Sequence, residues 1–424
     1  MLAPISISAI ALASLGVTAA KQCAQFDTSN NLYLFGGEQD YNLGQSDSWS
    51  SPNPQALTSA GRPPWTGNNT ACSLAQYNNA LYVLDADAAN PGDVYIYDFA
   101  AGTWSKQTTT SPPDLASGSS VLDHDTNVFF ALPGDDGSLY SLDLSSVTNQ
   151  ASGNAIAWEA VTDPNFKMEG RQPVMSQASN HIVFFNVPGN PAGSANMFVI
   201  HYSYFQPEVQ AFSLANGATD NFPTSSGQAL PIPLASTDAG KQIVFVPDDF
   251  SHTYVLTHWT NPGDWSSLSD APAGIESLIN STQTLPAPSS QDRSAAYAAS
   301  VNTLVQFTSS GDVYYLPSAF GNGWTVQANA AWQKLGYSVA GLSGASQSTV
   351  VSSASGTSTT ASGTGATSAV GSPSTSVSRA SGTGSTATGS TPTNATNSGM
   401  KIGSPLFAQA GVFVIALAVT GALL

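Results

Sequence analysis

One phrase recurs along this chain, and it limits the fold more than any other feature. A turn residue, usually Asn, opens a short run of β-branched and aromatic side chains. The copies are Asn30-Asn31-Leu32-Tyr33-Leu34-Phe35-Gly36-Gly37, Asn79-Ala80-Leu81-Tyr82-Val83-Leu84 and Asn127-Val128-Phe129-Phe130-Ala131-Leu132. They continue with Asn180-His181-Ile182-Val183-Phe184-Phe185, Lys241-Gln242-Ile243-Val244-Phe245-Val246 and Asn302-Thr303-Leu304-Val305-Gln306-Phe307. Counted from Asn31, the steps are 48, 48, 53, 61 and 61 residues. All but the first are followed by a loop and a second strand-like run, at 93–98, 138–143, 197–200, 253–256 and 312–316. A Trp often comes next, at Trp104, Trp158, Trp265 and Trp324. No stretch of 21–342 keeps a helical period, so the body is expected to be all-β.

A unit of about 50 residues holding several strands is the signature of a β-propeller. Six phrases predict six blades, or seven if one blade lacks the phrase; two β-sandwiches are the competing architecture. The Asn is expected at the turn between the first and second strands, the aromatic strand between neighbouring blades, and the Trp under the outer strand. The unit Tyr95-Ile96-Tyr97-Asp98, with Gly102-Thr103-Trp104 after it, and the pair Gly36-Gly37 resemble the repeats of kelch propellers, including the central domain of galactose-oxidase-like proteins. The resemblance covers residues 22–335 and implies a divergent, fungal-type secreted relative. The head starts and finishes in strand-like runs, so its two ends are expected to share one blade and close the ring.

The two ends of the chain read as addresses. Residues 1–20 are apolar and uncharged and end in Thr18-Ala19-Ala20, which predicts a secretory signal peptide; a buried N-terminal helix is the alternative. A second apolar run, 406–424, follows the polar spacer 398–405 and the small triplet Asn397-Ser398-Gly399. That order predicts a GPI-attachment signal within 398–424 and lipid attachment at Asn397, with Ser398 and Asn394 as rivals. The run is 19 residues long, just enough for a membrane helix, but no basic stop-transfer residues follow it. Between head and anchor, 45 of the 55 residues in 343–397 are Ser, Thr, Gly or Ala. Such a segment buries too little apolar area to offset its chain entropy, and reads as a disordered, O-glycosylated stalk. The head is therefore 21–342, on the outside of a cell, tied to the plasma membrane or wall.

Charge narrows the partners. With 10 Lys and Arg against 27 Asp and Glu, the net charge is −17, which leaves no basic surface for nucleic acid. The two cysteines of a secreted chain predict one disulfide, Cys23–Cys72. They precede Asn31 and Asn79 by eight and seven residues, which puts them on equivalent inner strands of adjacent blades. The sequons at Asn68, Asn280 and Asn394 are candidate N-glycosylation sites.

The reaction, if there is one, is not written in a motif. No Gly-x-Ser-x-Gly elbow, phosphate loop or sialidase Asp box occurs, and three Arg in the head are too few for a fucose-binding propeller. Resemblance to galactose oxidases would imply copper held by two Tyr, two His and a Cys cross-linked to Tyr. Both Cys are committed to the disulfide, and the five His (His124, His181, His201, His252, His258) are scattered, so no metal or cofactor is expected. His252 and His258 share a strand but stand roughly 20 Å apart at about 3.3 Å per residue. Asp123-His124-Asp125-Thr126-Asn127 echoes a calcium loop but lacks its Gly and its final acid, and reads as a hairpin turn.

Two candidates remain. The loops between second and third strands carry Glu38, Asp40, Asp85, Asp87, Asp135, Asp136, Asp248 and Asp249. In a propeller these loops border the channel mouth, where the acids could attract a cation or a basic partner, or simply make turns. Arg171 and Arg293 each precede a strand Asn by nine residues, the place from which, as the resemblance implies, an Arg pairs with acids near the channel. The expected protein is a monomeric surface propeller that binds wall glycan or protein. An extracellular carbohydrate-active hydrolase or oxidoreductase with its site at the mouth is the alternative.

Overall fold

The computed structural model describes residues 22–215, 220–236, 238–259 and 275–342. The signal peptide 1–20, the stalk 343–397, the anchor signal 398–424 with Asn394 and Asn397, and Trp265 lie outside the described residues. Within them, the only helical turns are short 3-10 segments, and no helix is long and apolar enough to cross a membrane.

The strands form six sheets, each with four strands ordered from inside to outside as the chain runs. The third and fifth also carry a short parallel edge strand from the segment before them, Thr109–Thr110 and Ser213–Leu214. This is a six-bladed β-propeller. The inner strands are Cys23–Phe26, Ala71–Ala75, Ser119–Leu122, Val174–Ala178, Gly227–Ile232 and Ala296–Ala299. Each packs against the next, and the last against the first, so the ring closes around a channel. The recurring phrase is the second strand of every blade: Leu32–Phe35, Ala80–Leu84, Val128–Leu132, His181–Phe185, Gln242–Pro247 and Leu304–Phe307.

The phrase is apolar on both faces because each second strand is packed from both sides. Side chains alternate along a strand with a period of two. Leu32 and Leu34 enter the core between blades 1 and 6, whereas Tyr33 and Phe35 enter the core between blades 1 and 2. Leu81 and Val83 share that second core, and Tyr82 and Leu84 turn to blade 3. The alternation continues through Phe129 and Phe130, Val183 and Phe184, Val244 and Phe245, so that each of the six seams has its own hydrophobic cluster.

The turn before each phrase follows its residue chemistry. Asn30, Asn79 and Asn127 have φ of 61°, 44° and 59°, the left-handed region that Asn tolerates better than other side chains. The segment from Asp123 to Asn127 is the first hairpin turn of blade 3, with the Thr126 amide and hydroxyl both donating to the Asp123 carboxylate. Trp104 and Trp158 are buried in the outer strands Thr103–Gln107 and Ile156–Thr162, as expected. Trp324 differs: it lies in the loop before Gln333–Ser338 and packs edge-on against Trp259 of blade 5, ring centroids 5.2 Å apart.

Ring closure also differs from expectation. The first strand is the inner strand of blade 1 and the last, Gln333–Ser338, is the outer strand of blade 6, so no blade contains both ends. A short strap after the last strand joins them instead. Val339 and Leu342 are buried in the core between blades 1 and 6, and the Glu38 amide donates to the Ala340 carbonyl at 3.3 Å. Gly37 is required beneath it, since a Cβ there would stand 2.7 Å from Val339 and 2.9 Å from the Ala340 oxygen. On the channel side, Gln22 Nε2 donates to the carbonyls of Ser294 at 2.9 Å and Phe307 at 3.1 Å.

Candidate ligand-binding mouth of the channel

All six inner strands run in the same direction, and the ends where they begin surround an open cavity of ≈ 300 Å³. Every blade contributes to its wall, through Gln22, Asn69, Ser119, Gln172, Gln228 and Tyr297 among others. Most of these are short or amide side chains because an inner strand near the axis has little room for bulk.

The amides tie the rim together. Asn69 Nδ2, at the start of blade 2, donates to the carbonyls of Leu115 at 2.9 Å and Gly118 at 2.7 Å, before blade 3. Gln172 Nε2, before blade 4, donates to Gly118 O at 3.0 Å and Asn69 Oδ1 at 3.2 Å. Gln228 Nε2 of blade 5 donates to Ala295 O at 2.7 Å, before blade 6. Gln22 completes the pattern from blade 1 to blade 6. Each bond spans a seam, so the amides hold the mouth open at a set width as well as lining it.

The disulfide lies in the same wall. Cys23 and Cys72 join the inner strands of blades 1 and 2, Cα atoms 6.2 Å apart, and both border the cavity.

The acidic loops do lie on this face, yet they are mostly occupied locally. Asp40 is fully buried and paired with Arg62, Nε to Oδ2 2.6 Å, while it accepts from the Gly36 amide. Burial lifts its pKa even against that guanidinium. Asp85 is buried and accepts from the Asn69 amide at 2.7 Å; burial raises its pKa as well. Asp87 accepts from Asn90, Ala89 and Tyr95, and although burial opposes ionisation, these donors hold its pKa low. Asp135 caps its own turn through the Gly137 amide, Asp136 accepts from the amides of Met168 and Glu169, and Asp249 accepts from Ser251. Glu38 is exposed beside the strap.

Asp248 is the exception: it lines the cavity, accepts from Ser226 Oγ at 2.7 Å, and is the one carboxylate among the described wall residues. Arg293 stands next to it and donates from Nε to the Asp248 carbonyl at 3.3 Å, which leaves the wall close to charge-balanced. Arg171 is exposed, and none of the ion pairs among the described residues includes it. The Arg that makes the buried pair is therefore Arg62, which sequence reasoning missed; it falls outside the repeat position that drew attention to the other two.

Tyr297 contributes a neutral hydroxyl. Burial raises its pKa well above the usual tyrosine value, and Gln306 Nε2 donates to it at 3.0 Å. Among the described residues, no group of three or more His, Cys, Asp or Glu is placed to hold a metal ion. Of the sequons, Asn68 is exposed near the rim, and the Asn280 side chain is bonded to His258 at 3.1 Å.

The fold and mouth thus define a six-bladed propeller with an open, polar and nearly neutral channel entrance. No family model matches the chain, and no curated protein matches it. Among solved structures it is similar to one titled "Structure of YjhT", at 13% identity and a TM-score of 0.43, over 75% of this chain and 98% of that one. Likeness at that score carries no argument about function.

Proposed function

We propose that this chain is a GPI-anchored, extracellular surface propeller whose channel mouth binds a neutral glycan of the cell wall. The observation that carries this reading is the wall itself: amides, hydroxyls and backbone groups from every blade, with Asp248 and Arg293 as its neighbouring charges. Neutral sugars present many hydroxyls that both donate and accept, and they are recognised by such mixed polar walls rather than by net charge. The ≈ 300 Å³ volume lies at the lower end of the range for small-ligand pockets, enough for one or two sugar rings.

A Ser/Thr-rich stalk and a lipid anchor suit display, since they hold the mouth away from the membrane. A glycosidase reading asks for two carboxylates about 5–10 Å apart; the described wall has Asp248 alone, and this favours binding.

The test is a glycan array with the secreted chain, repeated with Gln172→Ala and Gln228→Ala. Saturable binding of neutral oligosaccharides, weakened at least fivefold by either variant, supports the reading. Empty arrays together with turnover of a chromogenic glycoside would replace it with the enzyme. Release of the protein from intact cells by a phosphatidylinositol-specific phospholipase tests the anchor separately.

A further inference from the structure

We propose that the mouth takes the end of a glycan chain, one or two terminal sugar rings, and not a stretch within the chain. The inference rests on the glycan reading above and narrows it. It comes from the shape of the well, which is tied around its circumference and crossed at its base.

A site for the middle of a polymer needs two gaps in its rim, one for each arm of the chain. Five of the six seams are tied at the mouth. Gln22 bonds the Ser294 carbonyl across blades 1 and 6, and the disulfide Cys23–Cys72 joins blades 1 and 2. Asn69 bonds the Gly118 carbonyl across blades 2 and 3, and Gln172 reaches the same carbonyl from blade 4. Gln228 bonds the Ala295 carbonyl across blades 5 and 6. Among the described residues, only the seam between blades 4 and 5 has no such tie at the mouth. There the inner strands Val174–Ala178 and Gly227–Ile232 pack directly on each other.

Nor can a chain thread the channel. Below the mouth it continues into a space of ≈ 150 Å³ that shares Cys72, Ser120 and Tyr297 with the mouth as walls. Blades 2 and 5 stand opposite each other in a ring of six, so a bond between them crosses the axis. Gln76 Nε2 of blade 2 makes that bond, donating to the Ser236 carbonyl of blade 5 at 3.0 Å. Gln76 Oε1 stands 3.2 Å from His124 Nε2, which adds blade 3 to the floor. A glycan that enters at the mouth therefore stops inside.

Size agrees with shape. The ≈ 300 Å³ at the mouth limits contact to the outermost rings, and rings further along the chain lie outside the well. A terminal ring also keeps the hydroxyl that its interior neighbours use in a glycosidic bond. That group is one more donor and acceptor for the polar wall.

The test is titration calorimetry on the full chain with oligosaccharides of β-1,3-linked glucose, β-1,4-linked N-acetylglucosamine and α-1,6-linked mannose, each as disaccharide and hexaose. In a series that binds, we expect the disaccharide to bind within about fivefold of the hexaose. Polymer of that series, competing at equal mass, should gain potency in proportion to its chain ends when it is cut by mild acid. A hexaose tighter by more than that margin, or polymer potency unchanged by cutting, overturns end binding and leaves the glycan reading standing. Absence of binding in every series overturns the glycan reading itself, and end binding with it.

Discussion

The imidazoles of His181 and His258 meet edge to face across the seam between blades 4 and 5, centroids 4.9 Å apart. Both are buried, and the Nδ1 of His181 and the Nε2 of His258 lack hydrogen-bond partners. Asn280 Oδ1 faces His258 Nδ1 at 3.1 Å, and Lys241 Nζ bonds Ser179 Oγ beside the pair. Burial pulls the His181 pKa down to about 4 and the His258 pKa down to about 3, with His201, Lys241 and the partner imidazole adding repulsion.

This pair sets an acid limit on stability. Both folded-state values lie below the free value of 6.5, so the unfolded chain binds protons first. The stabilisation is complete above about pH 6.5 and is lost as pH falls toward 4 and then 3, at up to about 1.4 kcal/mol per pH unit for each histidine. Urea unfolding of wild type and His258→Gln between pH 7 and pH 4 should show the steeper loss in the wild type. Parallel curves would rule out His258 as a source.

Arg62 is the cation that keeps Asp40 tolerable in a fully buried position. Arg62→Ala leaves an unpaired carboxylate beneath the mouth loop, and we expect a loss of about 3 kcal/mol in urea unfolding. Asp40→Asn combined with Arg62→Met should recover much of that loss, because no charge then remains to be buried. A single variant Arg62→Ala as stable as the wild type would contradict the assigned role.

The Cys23–Cys72 bridge closes a loop of 49 residues and pins the first inner strand to blade 2. Replacing both with Ser should cost about 2–4 kcal/mol. The loss should appear in thermal melts as a lower midpoint and in hydrogen exchange as faster amides in Cys23–Phe26.

The strap is a weak point of the ring because the seam between the first and last blades is otherwise held by core packing and the Gln22 bonds, with no shared strand. Leu342→Ala should cost about 2–4 kcal/mol, the usual range for emptying a buried leucine site. Exchange should rise first in Cys23–Phe26 and Ala296–Ala299, the inner strands on either side of that seam, and last in blade 3. Uniform acceleration in all blades would show that the seam does not open on its own.

Much of this architecture is legible along the chain. Each second strand carries its own alternation, as Leu32-Tyr33-Leu34-Phe35 shows, and each left-handed Asn marks its own turn. These are local properties, set by neighbouring residues. The equivalent positions of Cys23 and Cys72 in consecutive repeats were enough to pair them. The acids were harder to interpret: Asp87 and Asp248 occupy similar loops, but only the wall position of Asp248 distinguishes a channel group from a turn former.

The sequence by itself determined the blade as a unit, its repetition and the covalent clasp, because hydrogen-bonded hairpins and seam-facing side chains repeat at a period that can be counted. Tertiary structure decided where the ring closes, that His181 faces His258, and which loop groups reach the channel. Those outcomes depend on the angle at which one blade packs on the next, and they join residues as remote as Gln22 and Phe307, 285 positions apart. No local pattern encodes a distance of that kind.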